Sequence, residues 1–462
     1  MIERRILKRL KDIIPKERIS DLPEDLAAAS YDASKRAAKP DVVIKPLTTE
    51  EVSAILKLAH EHSVPVYARG AASGVTGGAV PTKGGIVLDF SRMNRVIQIN
   101  KQNLTAVVEP GVIVSDFQVS VEKKGLFYPP DPASAEFCTI GGNIAECAGG
   151  LRCVKYGVTR DYVIGLEVVL ANGSIIHTGS HTLKCVTGYD LTRLFVGSEG
   201  TLGIFTKITL RLIPKPEHRE TLIAFYPNAD TAINAGESIL SANILPTALE
   251  FVDETSTRAV QNYYKDFTLP AGTKAFLIVE LDGPKTDTIR LSEQVQILLE
   301  RKSIKVIRAK DSKEAKTLWA VRKAISPSLY SITAQKINED ISLPLDQVKP
   351  MLEINKKLEG KYGIPIATFG HLGDGNLHIN LLVSVGGQEN VVPEAVKELF
   401  TEAIKLGGTL SGEHGIGLTK SPYLALEIPE REMEIMKQLK TIFDPKGILN
   451  PGKIFATADT HR

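Results

Sequence analysis

The stretch Pro65-Val-Tyr-Ala-Arg-Gly-Ala-Ala-Ser-Gly-Val-Thr-Gly-Gly78 joins a short run of strand-forming residues to a loop of small ones. Valine and tyrosine favour the extended backbone, so the first part predicts a β-strand. The small residues that follow allow successive backbone N–H groups to point together at an anion such as a diphosphate. One loop of this kind also occurs as a plain tight turn, so further runs are needed to indicate a ligand site.

Two further glycine-rich runs occur in the same half of the chain. One is Pro130-Asp-Pro-Ala-Ser-Ala-Glu-Phe-Cys-Thr-Ile-Gly-Gly-Asn143, which is followed by Gly149-Gly150 and Lys155-Tyr-Gly157. The other is Gly197-Ser-Glu-Gly-Thr-Leu-Gly203. Three such loops together indicate a large cofactor. The sequence contains no Gly-x-Gly-x-x-Gly, which disfavours a Rossmann dinucleotide site.

Short strands and helices alternate around these loops. In the first half, strands are predicted at 42–44, 64–67, 85–89 and 106–109, and a helix at 48–62 begins with a motif that resembles a capping box. Strands at 163–170 and 174–177 flank Asn172-Gly173, a typical hairpin turn. Beyond Ile213-Pro-Lys-Pro216, strands are predicted at 221–226, 248–252, 275–280 and 305–308, and helices at 229–240 and 286–301. This mixture predicts an α+β fold.

Size and charge limit the class of protein. A chain of 462 residues predicts two or three domains, and a formal net charge of +2 argues against a large basic nucleic-acid surface. The basic segment 1–14 lacks the apolar run of a signal peptide, and no stretch approaches the ~18 apolar residues that span a membrane. We therefore expect a cytoplasmic protein, or one peripheral to the membrane through a partner. The four cysteines form no Cys-x-x-Cys pair, so iron–sulfur and structural zinc spacings are absent.

The second half contains a candidate metal site. His371 and His378 bracket a glycine-rich segment, and Gly412-Glu413-His414-Gly415 follows. Asp374-Gly375 predicts a two-residue hairpin that would place His371 directly opposite His378, about 5 Å apart at Cβ. Glu413 would complete a His₂Glu set with open positions. Structural histidines and a non-haem iron oxygenase site are the alternatives, and the cofactor loops argue against the oxygenase.

The three loops also carry a family resemblance. Arg69-Gly-Ala-Ala-Ser-Gly74, Thr139-Ile-Gly-Gly-Asn143 and 197–203 resemble the FAD-binding signatures of the vanillyl-alcohol oxidase/PCMH flavoprotein superfamily. With the histidine-rich half, the resemblance narrows to the D-2-hydroxy-acid dehydrogenase branch, which includes D-lactate dehydrogenases and GlcD-type subunits of glycolate oxidase. It implies a PCMH-type two-subdomain FAD-binding domain at 1–215. A ferredoxin-like α+β substrate (cap) domain carrying metal ligands would follow at 216–411, and 412–462 would return to the FAD domain.

The resemblance implies a set of FAD-binding residues. They are Arg69, Gly70, Ala71, Ala72, Ser73, Gly74, Pro130, Asp131, Thr139, Gly141, Gly142, Asn143, Gly149, Gly150, Gly200, Ile204 and Asn450. Members with covalent flavin often carry a histidine in the first loop. Ala72 and Ser73 stand there in this chain, so non-covalent FAD is expected.

The resemblance also implies roles for the polar residues of the second half. His371, His378 and Glu413 would bind a divalent metal (zinc, manganese or iron), with Asn380 nearby. His414 would be the general base, and Arg322 would bind the substrate carboxylate with Ser326 beside it. A further family lysine has no secure equivalent, because Lys336 lies close but Asn338 falls at the more literal alignment. That departure favours lactate or glycolate over 2-hydroxyglutarate.

The implied activity is oxidation of D-lactate or glycolate to the 2-oxo acid, with hydride transfer to flavin N5. The chain has no iron–sulfur or nicotinamide motif, so an external electron acceptor is expected, either an iron–sulfur subunit or an electron-transferring flavoprotein. Three alternatives stay open at this point. They are a D-2-hydroxyglutarate dehydrogenase, a flavin-free metal-dependent oxygenase or hydrolase, and a flavin-bearing electron-transfer subunit without its own substrate.

Overall fold

The computed structural model describes residues 2–384, 388 and 390–455. The chain divides into two compact units. Unit 1 comprises Met1–Gly149, Val158–Lys215 and His414–Arg462, and unit 2 comprises Gly150–Gly157 and Pro216–Glu413. Among the described residues, no helix is long and apolar enough to cross a membrane.

Helices and strands are present in both units, which confirms the predicted α+β class. The helices are α1 (Arg4–Ile13), α2 (Pro23–Ala28), α3 (Thr49–His62), α4 (Val114–Glu122), α5 (Ile140–Glu146), α6 (Cys153–Tyr156), α7 (Leu191–Phe195), α8 (Ala229–Ser241), α9 (Glu254–Tyr263), α10 (Lys285–Glu300), α11 (Ser312–Ser328), α12 (Val348–Tyr362), α13 (Val392–Lys405) and α14 (Glu430–Phe443). The strands are β1 (Ile19–Ser20), β2 (Val42–Ile44), β3 (Val66–Arg69), β4 (Ile86–Asp89), β5 (Val96–Asn100), β6 (Thr105–Val108), β7 (Leu126–Phe127), β8 (Val163–Val169), β9 (Ile175–Gly179), β10 (Ile204–Arg211), β11 (Ile213–Pro214), β12 (His218–Tyr226), β13 (Ala248–Val252), β14 (Ala275–Gly283), β15 (Lys305–Arg308), β16 (Gln335–Ser342), β17 (Ile366–His371) and β18 (Asn376–Val383).

A four-stranded sheet in unit 1 carries the first glycine-rich loop. Its strand order is β1-β2-β4-β3, and β2, β4 and β3 run parallel. Parallel strands need a crossover, and α3 supplies it between β2 and β3. The predicted N-terminus of that helix is confirmed, since the Thr48 side chain accepts a hydrogen bond from the Glu51 N–H at 3.2 Å. The α3 side chains Val52, Ile55 and Leu56 are fully buried in the core of unit 1.

A five-stranded sheet of order β5-β6-β10-β8-β9 carries the 197–203 run, which leads into β10, whereas the 130–143 run follows β7 of a two-stranded sheet with β11. The predicted β8–β9 hairpin is confirmed. Val169 pairs with Ile175, and the Gly173 N–H donates to the Leu170 carbonyl at 2.9 Å. Gly173 has φ +84°, a left-handed conformation that glycine adopts without strain. The Asn-Gly pair therefore marked this turn correctly.

Unit 2 is built on a seven-stranded sheet of order β15-β12-β14-β13-β17-β18-β16, in which every neighbouring pair is antiparallel. The four strands predicted beyond residue 216 are all present as β12, β13, β14 and β15. Apolar side chains such as Phe225, Phe276, Ile325 and Leu382 form a core cluster of this unit. The sheet provides the rigid surface on which the histidine site stands.

The turn between β17 and β18 differs from the predicted two-residue hairpin. His371 pairs with Asn376, and His378 pairs with Phe369, so the connection is the four residues 372–375. The Gly375 N–H closes it on the His371 carbonyl at 3.0 Å, while the Gly373 N–H donates to Leu249 of the next strand at 3.2 Å. The prediction of a direct His371–His378 pair was wrong. The two histidines nevertheless share one face, because the partner of His378 moved by two residues and side chains alternate with period two.

Gly375 offers a test of how tightly this turn is built. It has φ +78°, and a Cβ there would lie 2.0 Å from the Leu343 carbonyl oxygen. Gly188 has the same φ, but among the described residues, its chain neighbours aside, no atom lies within 4 Å of its Cβ position. We expect Gly375→Ala to destabilise the protein by more than about 2 kcal/mol, and Gly188→Ala by about 1 kcal/mol from backbone strain alone. Thermal unfolding of the two variants measures the difference, and equal melting temperatures would contradict this account of the turn.

Candidate functional site

An open pocket in unit 1 draws together the three glycine-rich runs. Its lining residues are Ala68, Gly70, Phe90, Pro110, Thr139, Gly141, Gly142, Ala145, Gly200, Gly203, Ile204 and Phe205. Six of these had been predicted to bind the cofactor, namely Gly70, Thr139, Gly141, Gly142, Gly200 and Ile204. The prediction did not include the apolar members Phe90, Pro110 and Phe205. The sequence alone does not distinguish an apolar residue that lines a pocket from one that packs in the core.

Glycine is required where the walls of this pocket meet. A Cβ on Gly70 would lie 2.3 Å from the Thr139 hydroxyl oxygen, and one on Gly141 would lie 2.6 Å from the Pro110 Cβ. The Thr139 hydroxyl accepts the Gly142 N–H at 3.2 Å and caps α5. At these two points bare backbone forms the wall of the pocket, which is how glycine allows a cofactor to approach closely.

Other residues predicted for the cofactor lie outside this lining. The Arg69 guanidinium donates to the carbonyls of Tyr31 and Ala28, at 2.8 and 3.0 Å. Asn450 donates to the carbonyls of Glu199 and Gly78, at 2.7 and 2.9 Å. Gly150 belongs to unit 2. The rest of the predicted set outside the lining is Ala71, Ala72, Ser73, Gly74, Pro130, Asp131, Asn143 and Gly149. Their cofactor contacts stay predictions.

The loop that follows His414 is anchored within unit 1 by Glu199. One Glu199 oxygen accepts the Ile416 N–H and the other accepts the Gly417 N–H, each at 2.7 Å. The backbone of Thr76 adds a second anchor, because its carbonyl accepts the Leu418 N–H at 2.7 Å. A Cβ on Gly417 would lie 2.3 Å from that same Thr76 oxygen. Glu199 therefore has a structural task that its glycine-rich surroundings did not indicate.

In unit 2, His371, His378 and Glu413 come together as predicted. The Nε2 atoms of both histidines lie 3.5 Å from the same oxygen, Glu413 Oε1. The two imidazole rings are 5.2 Å apart at their centroids and nearly perpendicular, at 84°. Both histidines are buried, and ligand atoms of all three residues lie within 4.8 Å of one another. Two ring nitrogens and a carboxylate that converge in this way suit a divalent metal.

The histidines belong to a row of side chains that crosses four adjacent strands. Glu250 on β13 pairs with His371 on β17, and His378 on β18 pairs with Asp340 on β16. His378 also pairs with Phe369, two residues before His371. Directly paired residues and residues two apart project from the same face, so all four titratable groups share one side of the sheet. The sequence predicted the two histidines of this row but neither acid.

Glu250 is a fully buried acid with two partners. Its Oε1 lies 2.6 Å from His371 Nδ1, and its Oε2 accepts the Arg322 Nε–H at 2.7 Å. Burial by itself would raise the pKa of this carboxyl, but the positive charges of His371 and Arg322 outweigh burial and hold the pKa below its usual value. The acid stands within the apolar run Ala-Leu-Glu-Phe-Val of β13, and that interruption was the available signal.

Asp340 holds the backbone of Glu413, the third residue of the candidate metal site. This fully buried carboxylate accepts hydrogen bonds from Asn376 Nδ2 at 2.6 Å, from the Ser411 hydroxyl at 3.0 Å and from the Glu413 backbone N–H at 2.9 Å. A Cβ on Gly412 would lie 2.2 Å from Asn376 Nδ2, so the segment before Glu413 passes close to the sheet. Glu413 is on a loop, yet its backbone is tied to strand β16.

The residues predicted to bind substrate occupy different environments. Arg322 is buried, bonded to Glu250, and its guanidinium carbon is 4.8 Å from the Phe369 ring centroid. Asn380 is fully buried on the same face as His378, and among the described residues its Oδ1 has no hydrogen-bond partner. Ser326 is exposed, and Lys336 donates to its hydroxyl and, at 3.0 Å, to its carbonyl. Arg322 and Asn380 thus flank the row, whereas Ser326 faces solvent.

Comparison with known proteins identifies both halves of the chain. Residues 40–179 match the family described as FAD binding domain, and residues 215–454 match the family described as FAD linked oxidases, C-terminal domain. A protein named glycolate oxidase subunit GlcD, from Bacillus subtilis (strain 168), is 45% identical over 460 residues, which cover 99% of this chain and 98% of that protein. A D-lactate dehydrogenase from Anaerostipes hadrus is 36% identical over 461 residues, with 97% of each protein covered.

A solved structure agrees with the architecture. The crystal structure of p-cresol methylhydroxylase with substrate bound matches 98% of this chain and 96% of its own, with a TM-score of 0.79 at 19% sequence identity. At this identity the likeness concerns the fold alone. Together with the two family matches, it confirms the predicted PCMH-type FAD-binding fold.

The anchoring role of Glu199 can be tested without reference to chemistry. Glu199→Ala would leave the Ile416 and Gly417 N–H groups without their acceptor, so the loop at 414–418 should open more often. We expect its amide hydrogen exchange to accelerate by at least about tenfold. Asp41→Ala is the matched control, because Asp41 Oδ2 also accepts two backbone N–H groups, those of Ile2 and Gly85, in another part of unit 1. Unchanged exchange at 414–418 in Glu199→Ala would refute the anchor.

Proposed function

The chain belongs to the family of FAD-linked oxidases, and from this premise we propose that it oxidises a small D-2-hydroxy acid, D-lactate or glycolate, with FAD and a divalent metal. The product is the 2-oxo acid. The observation that carries the proposal is the convergence of His371, His378 and Glu413 on one face of the sheet, with the carboxylate-binding candidate Arg322 tied to the same row through Glu250. Relatives named glycolate oxidase subunit and D-lactate dehydrogenase, similar over nearly their full length, supply the substrate class.

The His₂Glu set is the proposed metal site. Its donors are two ring nitrogens and a carboxylate oxygen, which suit zinc, manganese or iron and leave coordination positions for a substrate. Glu250 accepts from His371 Nδ1 at 2.6 Å and thereby turns Nε2 toward Glu413. When bound, the metal lowers the pKa of the substrate hydroxyl and FAD accepts the α-hydrogen as a hydride.

Arg322 is the proposed clamp for the substrate carboxylate. Its Nε is engaged by Glu250, and the guanidinium carries two further nitrogens that can bind a carboxylate with two parallel hydrogen bonds. A lysine could not reproduce that geometry. Asn380, whose buried Oδ1 has no hydrogen-bond partner in the part of the chain that the structure describes, is a second proposed substrate contact.

His414 is the proposed general base. An imidazole nitrogen can accept the hydroxyl proton in the role of a general base. Removal of that proton and departure of the α-hydrogen as a hydride together account for the two electrons and two protons of the oxidation. The loop after His414 is held by Glu199 and Thr76, which keeps the imidazole's own backbone in place.

The flavin is proposed to be non-covalent, since Ala72 and Ser73 occupy the loop positions where a histidine would form a covalent link. Its reoxidation is assigned to a partner protein, either an iron–sulfur subunit or an electron-transferring flavoprotein. The name of the Bacillus subtilis relative, a glycolate oxidase subunit, supports a partner. The site of action is proposed to be the cytoplasm, or the membrane surface through that partner.

Anaerobic mixing with candidate substrates tests the proposed function. D-Lactate or glycolate should bleach the visible absorption of the oxidised flavin within seconds, because hydride transfer reduces the cofactor without any external acceptor. D-2-Hydroxyglutarate should act more slowly, since Asn338 gives no cationic partner for a second carboxylate. No bleaching by any of the three acids, in a protein that contains both flavin and metal, would contradict the proposal.

Removal of the metal tests the His₂Glu assignment. Dialysis against a chelator should lower the rate of flavin reduction at least about tenfold while the protein retains its flavin. Addition of zinc, manganese or iron(II) should restore the rate. His378→Ala should resist such restoration, whereas His177→Ala, which changes an exposed histidine of unit 1, should behave like the parent protein. Full activity in a metal-free preparation would remove the metal from the mechanism.

A further inference from the structure

We propose that Glu250 is a positioning residue whose single carboxylate sets both the metal-binding histidine and the substrate-binding arginine. The inference rests on the proposed function, because it takes His371 as a metal ligand and Arg322 as the carboxylate clamp. It adds a coupling between them. The metal site and the clamp are two ends of one hydrogen-bonded chain, Arg322–Glu250–His371, and not two independent sites.

Backbone pairing places Glu250 for this task. Glu250 and His371 are directly opposed partners on the neighbouring antiparallel strands β13 and β17, so their side chains leave the sheet side by side. Glu250 is 0% exposed and His371 is 5% exposed. A buried carboxylate must find donors inside the protein, and the two donors it finds are His371 Nδ1 and Arg322 Nε, at 2.6 and 2.7 Å.

The first bond selects which ring nitrogen of His371 faces the metal. An ionised carboxylate only accepts hydrogen bonds, so His371 Nδ1 must carry the proton. In the neutral form of the ring, which metal binding requires, the lone pair is then on Nε2, the atom that lies 3.5 Å from Glu413. Carboxylate partners of this kind orient metal-binding histidines and raise their basicity. Glu250 therefore prepares His371 to bind the ion through the correct nitrogen.

The second bond fixes the plane of the Arg322 guanidinium. The Nε–H points at Glu250, and the Phe369 ring lies 4.8 Å from the guanidinium carbon. A contact at the edge and another at the face restrict rotation about the last side-chain bonds. The outer edge of the guanidinium, formed by one N–H from each terminal nitrogen, is distinct from the Nε edge and can meet a substrate carboxylate. Without this bond, Arg322 would keep its charge but lose its orientation.

The substitution Glu250→Gln would leave only one of the two hydrogen bonds that the carboxylate accepts. The glutamine amide has one acceptor oxygen and one donor nitrogen, so it can accept from His371 or from Arg322 but not from both. If the oxygen serves His371, the NH₂ group opposes the Arg322 Nε–H. If the oxygen serves Arg322, the NH₂ group forces the proton of His371 onto Nε2. Either arrangement breaks one end of the chain.

The molecule contains a matched control in Glu220 of β12. Its Oε1 lies 2.8 Å from His218 Nε2, and its Oε2 accepts the Arg308 Nε–H at 2.9 Å. This is the same bridge between a histidine and an arginine, in the same sheet, with a side chain that is 10% exposed. Among the described residues, His218 belongs to no group of side chains that could hold a metal ion. Glu220→Gln therefore reproduces the chemical change outside the proposed site.

The experiment compares Glu250→Gln and Glu220→Gln as purified, flavin-containing proteins. Zinc affinity is measured by competition with a chromogenic chelator, and KM for D-lactate and glycolate is measured by flavin reduction. We expect Glu250→Gln to bind zinc about 10- to 100-fold more weakly. At saturating zinc, its KM should still be raised while Glu220→Gln matches the parent protein in both measurements. Parental zinc affinity and parental KM in a folded Glu250→Gln protein would overturn the proposal.

A second measurement decides the matter if Glu250→Gln does not fold. In the zinc-loaded parent protein with ¹⁵N-labelled histidine, His371 Nδ1 should carry a slowly exchanging proton and Nε2 should show the shift of a metal-bound nitrogen. Zinc on Nδ1 would overturn the proposal. Failure of the underlying function is distinguishable, because then the parent protein itself would bind no zinc or would not be reduced by either hydroxy acid.

Discussion

A carboxylate removed from water must be met by donors inside the protein, and both units are organised around this requirement. Glu199 in unit 1 receives two backbone N–H groups from the loop after His414. Glu250 and Asp340 in unit 2 receive donors from the residues that surround the histidines. In each case the acid accepts hydrogen bonds from a segment that carries or adjoins a candidate site residue. The loss of one acid would leave several of these groups without partners.

Much of the fold follows from local sequence. The β13 and β15 bounds, the α3 cap at Thr48 and the Asn172-Gly173 hairpin all depend on residues close together in the chain. The β17–β18 turn does not. Asp374-Gly375 favours a two-residue turn, but the Gly373 N–H is claimed by Leu249, more than a hundred residues earlier. A contact with another strand cannot be read from a turn motif, and it lengthened the loop by two residues.

The residues of the candidate site likewise fall into two groups, those predictable from local sequence and those that depend on distant contacts. Glycine-rich loops and closely spaced histidines are rare patterns, so the pocket residues Gly70 and Thr139 and the cluster around Glu413 were predictable. Glu250 and Asp340 are single acids within strands, and the residues near them in sequence do not predict their hydrogen-bond partners. The Glu250–His371 bond spans 121 positions and the Asp340–Glu413 bond spans 73. Only the strand order of the seven-stranded sheet brings these residues together.

The predicted register of the β17–β18 pair was wrong by two residues, yet the two histidines still share one face because side chains alternate along a strand. Had the partner of His378 shifted by one residue, the two histidines would have faced opposite sides of the sheet; a shift of two kept them together. The same rule places Glu250 and Asp340 on that face, from β13 and β16 at either end of the row. A site assembled on paired strands is held more precisely than one on loops. Glu413 is the one loop residue of the candidate metal cluster, and Asp340 binds its backbone to the sheet. All three members of the cluster are therefore positioned by the same sheet.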